Sequence, residues 1–274
     1  MPDTECKEAK AVESAEGLSP KLIFEVIRRD GMLELERPAR SIMWSGVAAG
    51  LMISLSVLGE AVFRTYLPDA QWSYLVENLG YSLGFMVVIL GRMQLFTENT
   101  ITTFLPLMQE PTGVMLGRVA KLWAVVLTAN VVGAFGAAFA FAHTSAIPPE
   151  LLPAIEELSR HATGFAPFEA FQRAIPAGVL VAAIVWMLPE SENFSFFIIL
   201  VFTWMIAAGD FTHVVAGSVE MAFLMVQGML SISDGVFGFF LPVLAGNILG
   251  GTVIFALLAF GQVRHEIKTK ARSD

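Results

Sequence analysis

The sequence predicts an all-α polytopic membrane protein with six transmembrane helices, arranged as two inverted three-helix repeats. Its 274 residues are 55% hydrophobic and 15% charged, whereas a soluble domain carries about 25% charged residues. The apolar residues fall in blocks of roughly 20 or more, and an α-helix of about 20 residues crosses a hydrocarbon core of about 30 Å. Short polar segments also interrupt two of the blocks at corresponding positions in the two halves of the chain.

The two ends of the chain are polar. Residues 1–18 are predicted to form a disordered cytoplasmic tail, and residues 263–274 are predicted to form a second cytoplasmic tail. The N-terminal stretch has no apolar segment beside a basic start, so it does not have the pattern of a signal peptide. Residues 19–40 mix apolar and charged side chains around a glycine, which predicts short amphipathic helices at the membrane surface.

A six-helix channel domain is predicted over residues 41–262, with one repeat at about 41–142 and the other at about 168–262. The hydrophobic spans are residues 42–66, 79–109, 117–142, 168–188, 194–230 and 236–262. Spans two and five are too long for one straight crossing, and each has polar residues in its middle. Both are therefore predicted to be broken helices, whose irregular backbone is tolerated at membrane depth only where it lines a cavity.

The distribution of lysine and arginine predicts the orientation. With both termini inside, the cytoplasmic side holds thirteen of these residues, whereas the outer loops hold only Arg64 and Arg160. Positive charge concentrates on the cytoplasmic side of membrane proteins. The N- and C-termini are therefore predicted to be cytoplasmic.

The two interrupted spans predict the repeat. Matching elements are "LFTEN" (95–99) with "DFTHV" (210–214) and "TANVVGAFG" (128–136) with "AGNILGGTV" (245–253), so that Phe96-Thr97 corresponds to Phe211-Thr212. Three spans per half is an odd number, so the second half inserts in the opposite sense. Inverted repeats with broken helices are typical of transporters, with the substrate site near the midplane. The glycines of spans three and six are also explained by close helix packing alone.

His213 is the only histidine within the hydrophobic spans. Ionisable groups at membrane depth are costly and usually functional, and imidazole changes charge near neutral pH. Thr97 in the opposing break offers a hydroxyl that could hydrogen-bond the ring. The alternative is a buried neutral histidine that ties two loops together.

Four further charged residues and one amide lie near the two breaks: Arg92, Glu98, Asn99, Asp210 and Glu220. Unpaired buried carboxylates are costly, which favours an ion pair of Arg92 with one of the three carboxylates. The alternative for Glu98 is a proton relay or a filter against anions. Asp210 has a second interpretation, as the cap of the helix that follows it.

The stretches "YSLGFMVVILGRMQLFTENT", "FTHVVAG" and "LPVLAGNILGG" resemble the formate/nitrite transporter family over about residues 19–262. "LERPARSIMWS" and "GDFTHVVAGSVE" resemble its YfdC-type inner-membrane subgroup. The resemblance implies an aquaporin-like homopentamer in the bacterial inner membrane with one pore per protomer. It places the pore histidine at His213 and the threonine that faces it at Thr97. The implied apolar constrictions are Tyr81, Phe85, Leu95, Phe96 and Ile206.

Together these features predict a channel or transporter for small monovalent weak-acid anions such as formate, nitrite or hydrosulfide, with protonation near His213. The alternatives are a channel of this fold for a neutral or cationic solute, and a non-transporting membrane scaffold with an occluded pore. The sequence shows no metal-ligand spacing and no nucleophile–base pair, so neither an enzyme nor a cofactor is predicted. The expected partners are the small solute, membrane lipid and identical subunits; the net charge of −8 argues against nucleic acid.

Overall fold

The computed structural model describes residues 17–270, and its regular structure within that range is entirely helical. Most of the predicted N-terminal tail and the last four residues lie outside the described range. The first helix, α1 (Pro20–Glu36), is followed in order by α2 (Ala39–Tyr66), α3 (Ser73–Leu90), α4 (Phe96–Thr102), α5 (Phe104–Gln109), α6 (Gly113–His143), α7 (Leu152–Thr163), α8 (Pro167–Met187), α9 (Ser195–Ala208), α10 (Val214–Val226) and α11 (Asp234–His265).

The structure corrects the prediction of several short helices over residues 19–40. The expected short helices separated at Gly31 are a single helix, which begins after the Ser19 side chain accepts a hydrogen bond from the N–H of Leu22. Gly31 allows close packing and does not end the helix, because an added Cβ would lie 2.0 Å from the carbonyl oxygen of Thr102. The buried face of α1 packs on the channel domain, against the side chains of Ile101, Leu105 and Val263. Its location at a membrane surface stays a prediction.

The six-span architecture is confirmed. Helices α2, α3, α6, α8 and α11 are each long and apolar enough to cross a membrane. The fifth crossing consists of α9 and α10, which have 14 and 13 residues and are each too short alone. The second crossing continues from α3 into α4 and α5. The backbone leaves the helical path at residues 91–95 and 209–213. The first break therefore ends at residue 95, where the predicted break (95–99) begins, and residues 96–99 are already helical.

The two breaks have the same backbone course, and this fixes the register of the inverted repeat. Arg92 and Asp210 are the non-glycine residues with positive φ, at 49° and 56°, in the described part of the chain. Each follows a glycine and precedes extended residues that lead to the next helix. Arg92 therefore corresponds to Asp210, and Leu95 corresponds to His213.

The predicted match of Phe96-Thr97 with Phe211-Thr212 is consequently wrong by three positions. The structural counterpart of Phe96 is Val214, because these two residues begin the half-helices α4 and α10. The shared Phe-Thr letters misled because the hydrogen bonds of Asn130 and Asn247, described below, hold the start of each half-helix. These bonds do not involve the Phe and Thr side chains.

Within each repeat the first and third helices pack at backbone contact. A Cβ added at Gly50 of α2 would lie 2.0 Å from the carbonyl oxygen of Asn130 in α6. In the second repeat, a Cβ at Gly178 of α8 would lie 2.3 Å from the carbonyl oxygen of Asn247 in α11. Glycine is required at both positions, and this close approach brings each asparagine within reach of its break.

Gly50→Ala is expected to destabilise the protein by about 3 kcal/mol, because the new methyl group meets backbone that cannot move aside cheaply. The matched control is Gly136→Ala, whose Cβ would meet only Leu51 Cδ2 at 3.6 Å. Alanine is the better helix former by about 1 kcal/mol, so the control should be neutral or stabilising. Thermal unfolding of detergent-purified protein measures both, and equal effects would contradict the close-packing explanation.

Candidate functional site

The centre of the site is a contact between the two half-helices. His213 Nε2 lies 2.8 Å from Thr97 Oγ1, and both residues are buried. His213 is also the N-cap of α10, where its Nδ1 accepts a hydrogen bond of 3.2 Å from the backbone N–H of Ala216. An accepting Nδ1 carries no proton, so the proton of the neutral ring is on Nε2 and points to Thr97. The predicted pairing of these two residues is thus found in the structure.

Two asparagines hold the breaks in place. Asn130 Oδ1 accepts from the N–H of Phe96 at 2.9 Å, and its Nδ2 donates to the carbonyls of Gly46 and Gln94, both at 2.8 Å. The same three bonds recur in the second repeat, where Asn247 contacts Val214, Ala174 and Thr212 at 2.8, 2.8 and 3.1 Å. Each asparagine satisfies the first N–H of a half-helix and a carbonyl of the break, which buried backbone requires. In the sequence these two asparagines are only matched positions of the repeat, and the structure shows that they anchor the two breaks.

Two cavities approach the central contact. The acidic cavity, of about 440 Å³, is walled by α2, α3, α7, α9, α10 and the second break, and it reaches His213. The α1 cavity, of about 840 Å³, is walled by α1, the first break and the start of α4, and it reaches Leu95 and Glu98. Thr97 and His213 thus lie between the two cavities.

The predicted constriction residues are only partly gathered there. Phe85 packs edge-on against the His213 ring with centroids 5.0 Å apart, and Tyr81 packs on Phe85 at 5.2 Å. Tyr81 lines the acidic cavity and Leu95 lines the α1 cavity. Phe96 is buried and packs edge-on against Trp123, with ring centroids 5.7 Å apart. Ile206 is fully buried in the core, and neither Phe96 nor Ile206 is among the cavity-lining residues.

The predicted ion pair of Arg92 is absent: within the described part of the chain, no carboxylate lies within 4.0 Å of its guanidinium. Arg92 occupies the left-handed turn of the first break and is exposed at the α1 cavity. Glu98 lines the same cavity but is half-buried in the first turn of α4, where a negative charge suits the helix dipole. Asn99 braces the break by donating to Gln94 Oε1 at 3.1 Å and to the Leu95 carbonyl at 3.0 Å.

Asp210 does not cap α10, since His213 occupies the cap position. Its carboxylate instead accepts from Arg173 Nη1 at 2.8 Å and contacts His161 Nε2 at 2.8 Å. The guanidinium of Arg173 also lies 4.3 Å from the ring centroid of Phe165. The contact of Arg173 and His161 with Asp210 was not predicted from sequence, because nothing in their spacing shows that α7 and α8 meet the second break.

Asp210→Ala is expected to destabilise the protein by about 1 kcal/mol, because these contacts are partly exposed and solvent screens them. Arg92→Ala is the matched control. Residue 92 has the same left-handed backbone as residue 210, and replacing it removes no ion pair with a described residue. Chemical unfolding at low and at 0.5 M salt measures the difference between the two variants. That difference should shrink in high salt, and a difference that does not respond to salt would contradict an ionic origin.

Sequence reasoning missed Glu60, which lines the acidic cavity together with Glu220. It is the one carboxylate between residues 42 and 62. The rule that an ionisable residue at membrane depth is a candidate for function, which selected Glu220, would also have selected Glu60.

Comparison with known proteins agrees with this architecture. The family model described as formate/nitrite transporter matches residues 21–261. The chain belongs to the formate/nitrite transporter family. Members of this family are membrane transport proteins, and the predicted class of membrane channel or transporter is confirmed at that level.

Among the relatives of this family member is the inner membrane protein YfdC of Escherichia coli (strain K12). It is 44% identical over 252 residues, which cover 92% of this chain and 81% of that protein. The formate channel FocA of Haemophilus influenzae is 26% identical over 80% of this chain and 84% of its own length. The predicted YfdC-type membership of the family is thereby confirmed.

Two solved structures share the fold of this formate/nitrite transporter family member. A pentameric formate channel with formate bound has a TM-score of 0.71 at 20% identity and covers 82% of this chain and 97% of its own. An FNT family ion channel has a TM-score of 0.74 at 18% identity, with coverages of 88% and 98%.

Proposed function

We propose that this protein conducts a small monovalent weak acid across the membrane, and that the solute passes the centre as its neutral acid. The observation that carries the proposal is the His213–Thr97 contact, which lies between two cavities and beside the aromatic ring of Phe85. The buried region between the two cavities, beside Phe85, forms an apolar layer. Moving an ion through this layer costs far more than moving the neutral acid. Relatives named as a formate channel and as formate-nitrite transporters support formate or nitrite as the solute.

His213 would act on the solute through Nε2. Because Nδ1 is held by the N–H of Ala216, the ring offers one donor to the pore and keeps its other nitrogen in the helix cap. A carboxylic acid or nitrous acid that enters the layer could accept from Nε2–H in place of Thr97 Oγ1. The proton that neutralises the anion would then come from water in the cavity.

The arrangement in the membrane is part of the same proposal. The bias of lysine and arginine supports cytoplasmic N- and C-termini, which would place α1 on the cytoplasmic side. The relative named as an inner membrane protein supports the bacterial inner membrane. The structural neighbour titled as a pentamer supports a homopentamer with one pore in each subunit.

The test is uptake into liposomes that contain the purified protein and an internal pH indicator. A formate gradient should acidify the lumen in the wild type faster than in protein-free liposomes. Thr97→Val keeps the shape but removes the hydroxyl, and should change the rate by about tenfold, which is the effect of one hydrogen bond on a barrier. Thr65→Val is the matched control, because Thr65 Oγ1 bonds only the carbonyl of Ala61 within its own helix.

Absence of flux for formate, nitrite and hydrosulfide in folded wild-type protein would overturn the proposal and favour a scaffold with an occluded pore. A second candidate is a channel for a neutral or cationic solute. It is favoured by the carboxylates of Glu60 and Glu220 in the acidic cavity. Flux of such a solute without formate flux would select that candidate.

A further inference from the structure

Two carboxylates in the acidic cavity have no cation within 4.0 Å among the residues that the structure describes. Glu60 is 5% exposed and Glu220 is 8% exposed, and both line the cavity. Neither carboxylate takes part in a hydrogen bond or an ion pair with any residue that the structure describes. Burying a charged carboxylate without a partner is costly, so this pair needs an explanation.

Each cation near the cavity is directly paired with a carboxylate other than Glu60 and Glu220. Arg64 pairs with Glu77 at 2.7 Å and with Glu157 at 3.4 Å. Arg160 pairs with Glu156 at 2.8 Å. Arg173 and His161 both contact Asp210, as described above. Five carboxylates and two guanidiniums line the cavity, so an excess of negative charge remains after every pair is formed.

The unpartnered oxygens open into the cavity. Among the described side chains, no fully buried nitrogen or oxygen lacks a hydrogen-bond partner. The carboxylate oxygens of Glu60 and Glu220 therefore reach open space, and the space that both residues border is this cavity. The hydroxyl of Tyr81 forms no hydrogen bond to a described residue and lies on the same wall, although Tyr81 is only 6% exposed.

Five aromatic side chains also line the cavity. Tyr74, Phe165, Phe211 and Phe239 border the cavity together with Tyr81. Aromatic faces attract organic cations through their quadrupoles, and carboxylates form their strongest hydrogen bonds with charged N–H donors. The volume of about 440 Å³ lies within the range of small-molecule sites, which is about 300–1,000 Å³.

We propose that the acidic cavity binds a small protonated amine, whose ammonium group lies between Glu60 and Glu220 and donates to the hydroxyl of Tyr81. Its alkyl part would pack on the aromatic walls. A divalent metal fits less well, because the described residues contain no group of three or more acidic, histidine or cysteine side chains that could hold one. The site goes beyond the proposed passage of a weak acid, and an amine bound there would stand in the path from this cavity to His213.

The test is calorimetric titration of the protein in lipid nanodiscs with n-propylammonium chloride. Saturable binding is expected, and n-propanol and sodium chloride should give none. Glu60→Gln and Glu220→Gln should each weaken binding at least tenfold, and the double variant should abolish it. Glu157→Gln is the matched control, because Glu157 lines the same cavity but is mostly exposed at its rim, and it should retain wild-type affinity.

Several results would overturn the site: no saturable binding to the wild type, equal binding of propanol or sodium, or unchanged affinity in the double variant. If either glutamine variant fails to elute as folded protein, Tyr81→Phe removes one proposed acceptor and should weaken binding severalfold. Binding is measured without transport, so it succeeds or fails independently of formate flux. Formate flux measured in the same preparation, with and without n-propylammonium, should fall as the site fills.

Discussion

His213→Asn is expected to leave the protein folded while changing flux by one to two orders of magnitude, whereas His213→Phe is expected to lower both stability and flux. Asparagine is among the best N-cap residues, so its side-chain oxygen can replace Nδ1 as the acceptor of the hydrogen bond from the N–H of Ala216. Its side chain is shorter than imidazole and would lose the contact to Thr97. Phenylalanine supplies neither the cap nor the donor, and loss of a cap costs about 1 kcal/mol.

The pair of variants separates the cap that His213 forms in the structure from the donor role that we propose for it. Thermal unfolding measures the cap, and formate-driven acidification of liposomes measures the donor to the pore. Flux in His213→Asn equal to that of the wild type would show that the ring serves only as a cap, which is the structural alternative that ties two loops together. Loss of folding in His213→Asn would show that the contact to Thr97 stabilises the protein more than the cap does.

Asn247→Leu is expected to be among the most destabilising single substitutions, by about 3–5 kcal/mol. It leaves the N–H of Val214 and the carbonyls of Ala174 and Thr212 without their partner. Each buried polar group left unsatisfied costs about 1–3 kcal/mol, although relaxation of the break will recover part of this. The free N–H lies next to His213, so weak-acid flux should fall as well.

Asn130→Leu is expected to have a similar effect, because it removes the same three bonds from the first break. The control is Asn78→Ala, since the hydrogen bond of the Asn78 side chain is local and runs to the carbonyl of Tyr74 four residues earlier. Unfolding temperatures of the three variants measure the comparison. If replacing Asn130 and Asn247 destabilises the protein no more than replacing Asn78, these two asparagines would not be what anchors the breaks.

The sequence by itself determined the membrane class, the six crossings and the inverted arrangement. These follow from the length of the apolar blocks and from the number of spans in each half, which no tertiary contact can alter. It also singled out His213 and Thr97, which the structure brings into contact, because these polar residues stand out in spans that are otherwise apolar. Such signals are local, and the cost of burying polar groups in lipid makes them strong.

Only the tertiary structure decided which groups meet. The register of the repeat depends on the bonds that Asn130 and Asn247 make to distant backbone, so the repeated Phe-Thr letters misplaced it by three residues. Arg92 and Asp210 occupy equivalent turns, yet among the described residues only Asp210 has charged partners, because α7 and α8 bring His161 and Arg173 to it. Hydrogen bonds and ion pairs form between atoms a few ångströms apart, and sequence spacing does not report distances between different helices.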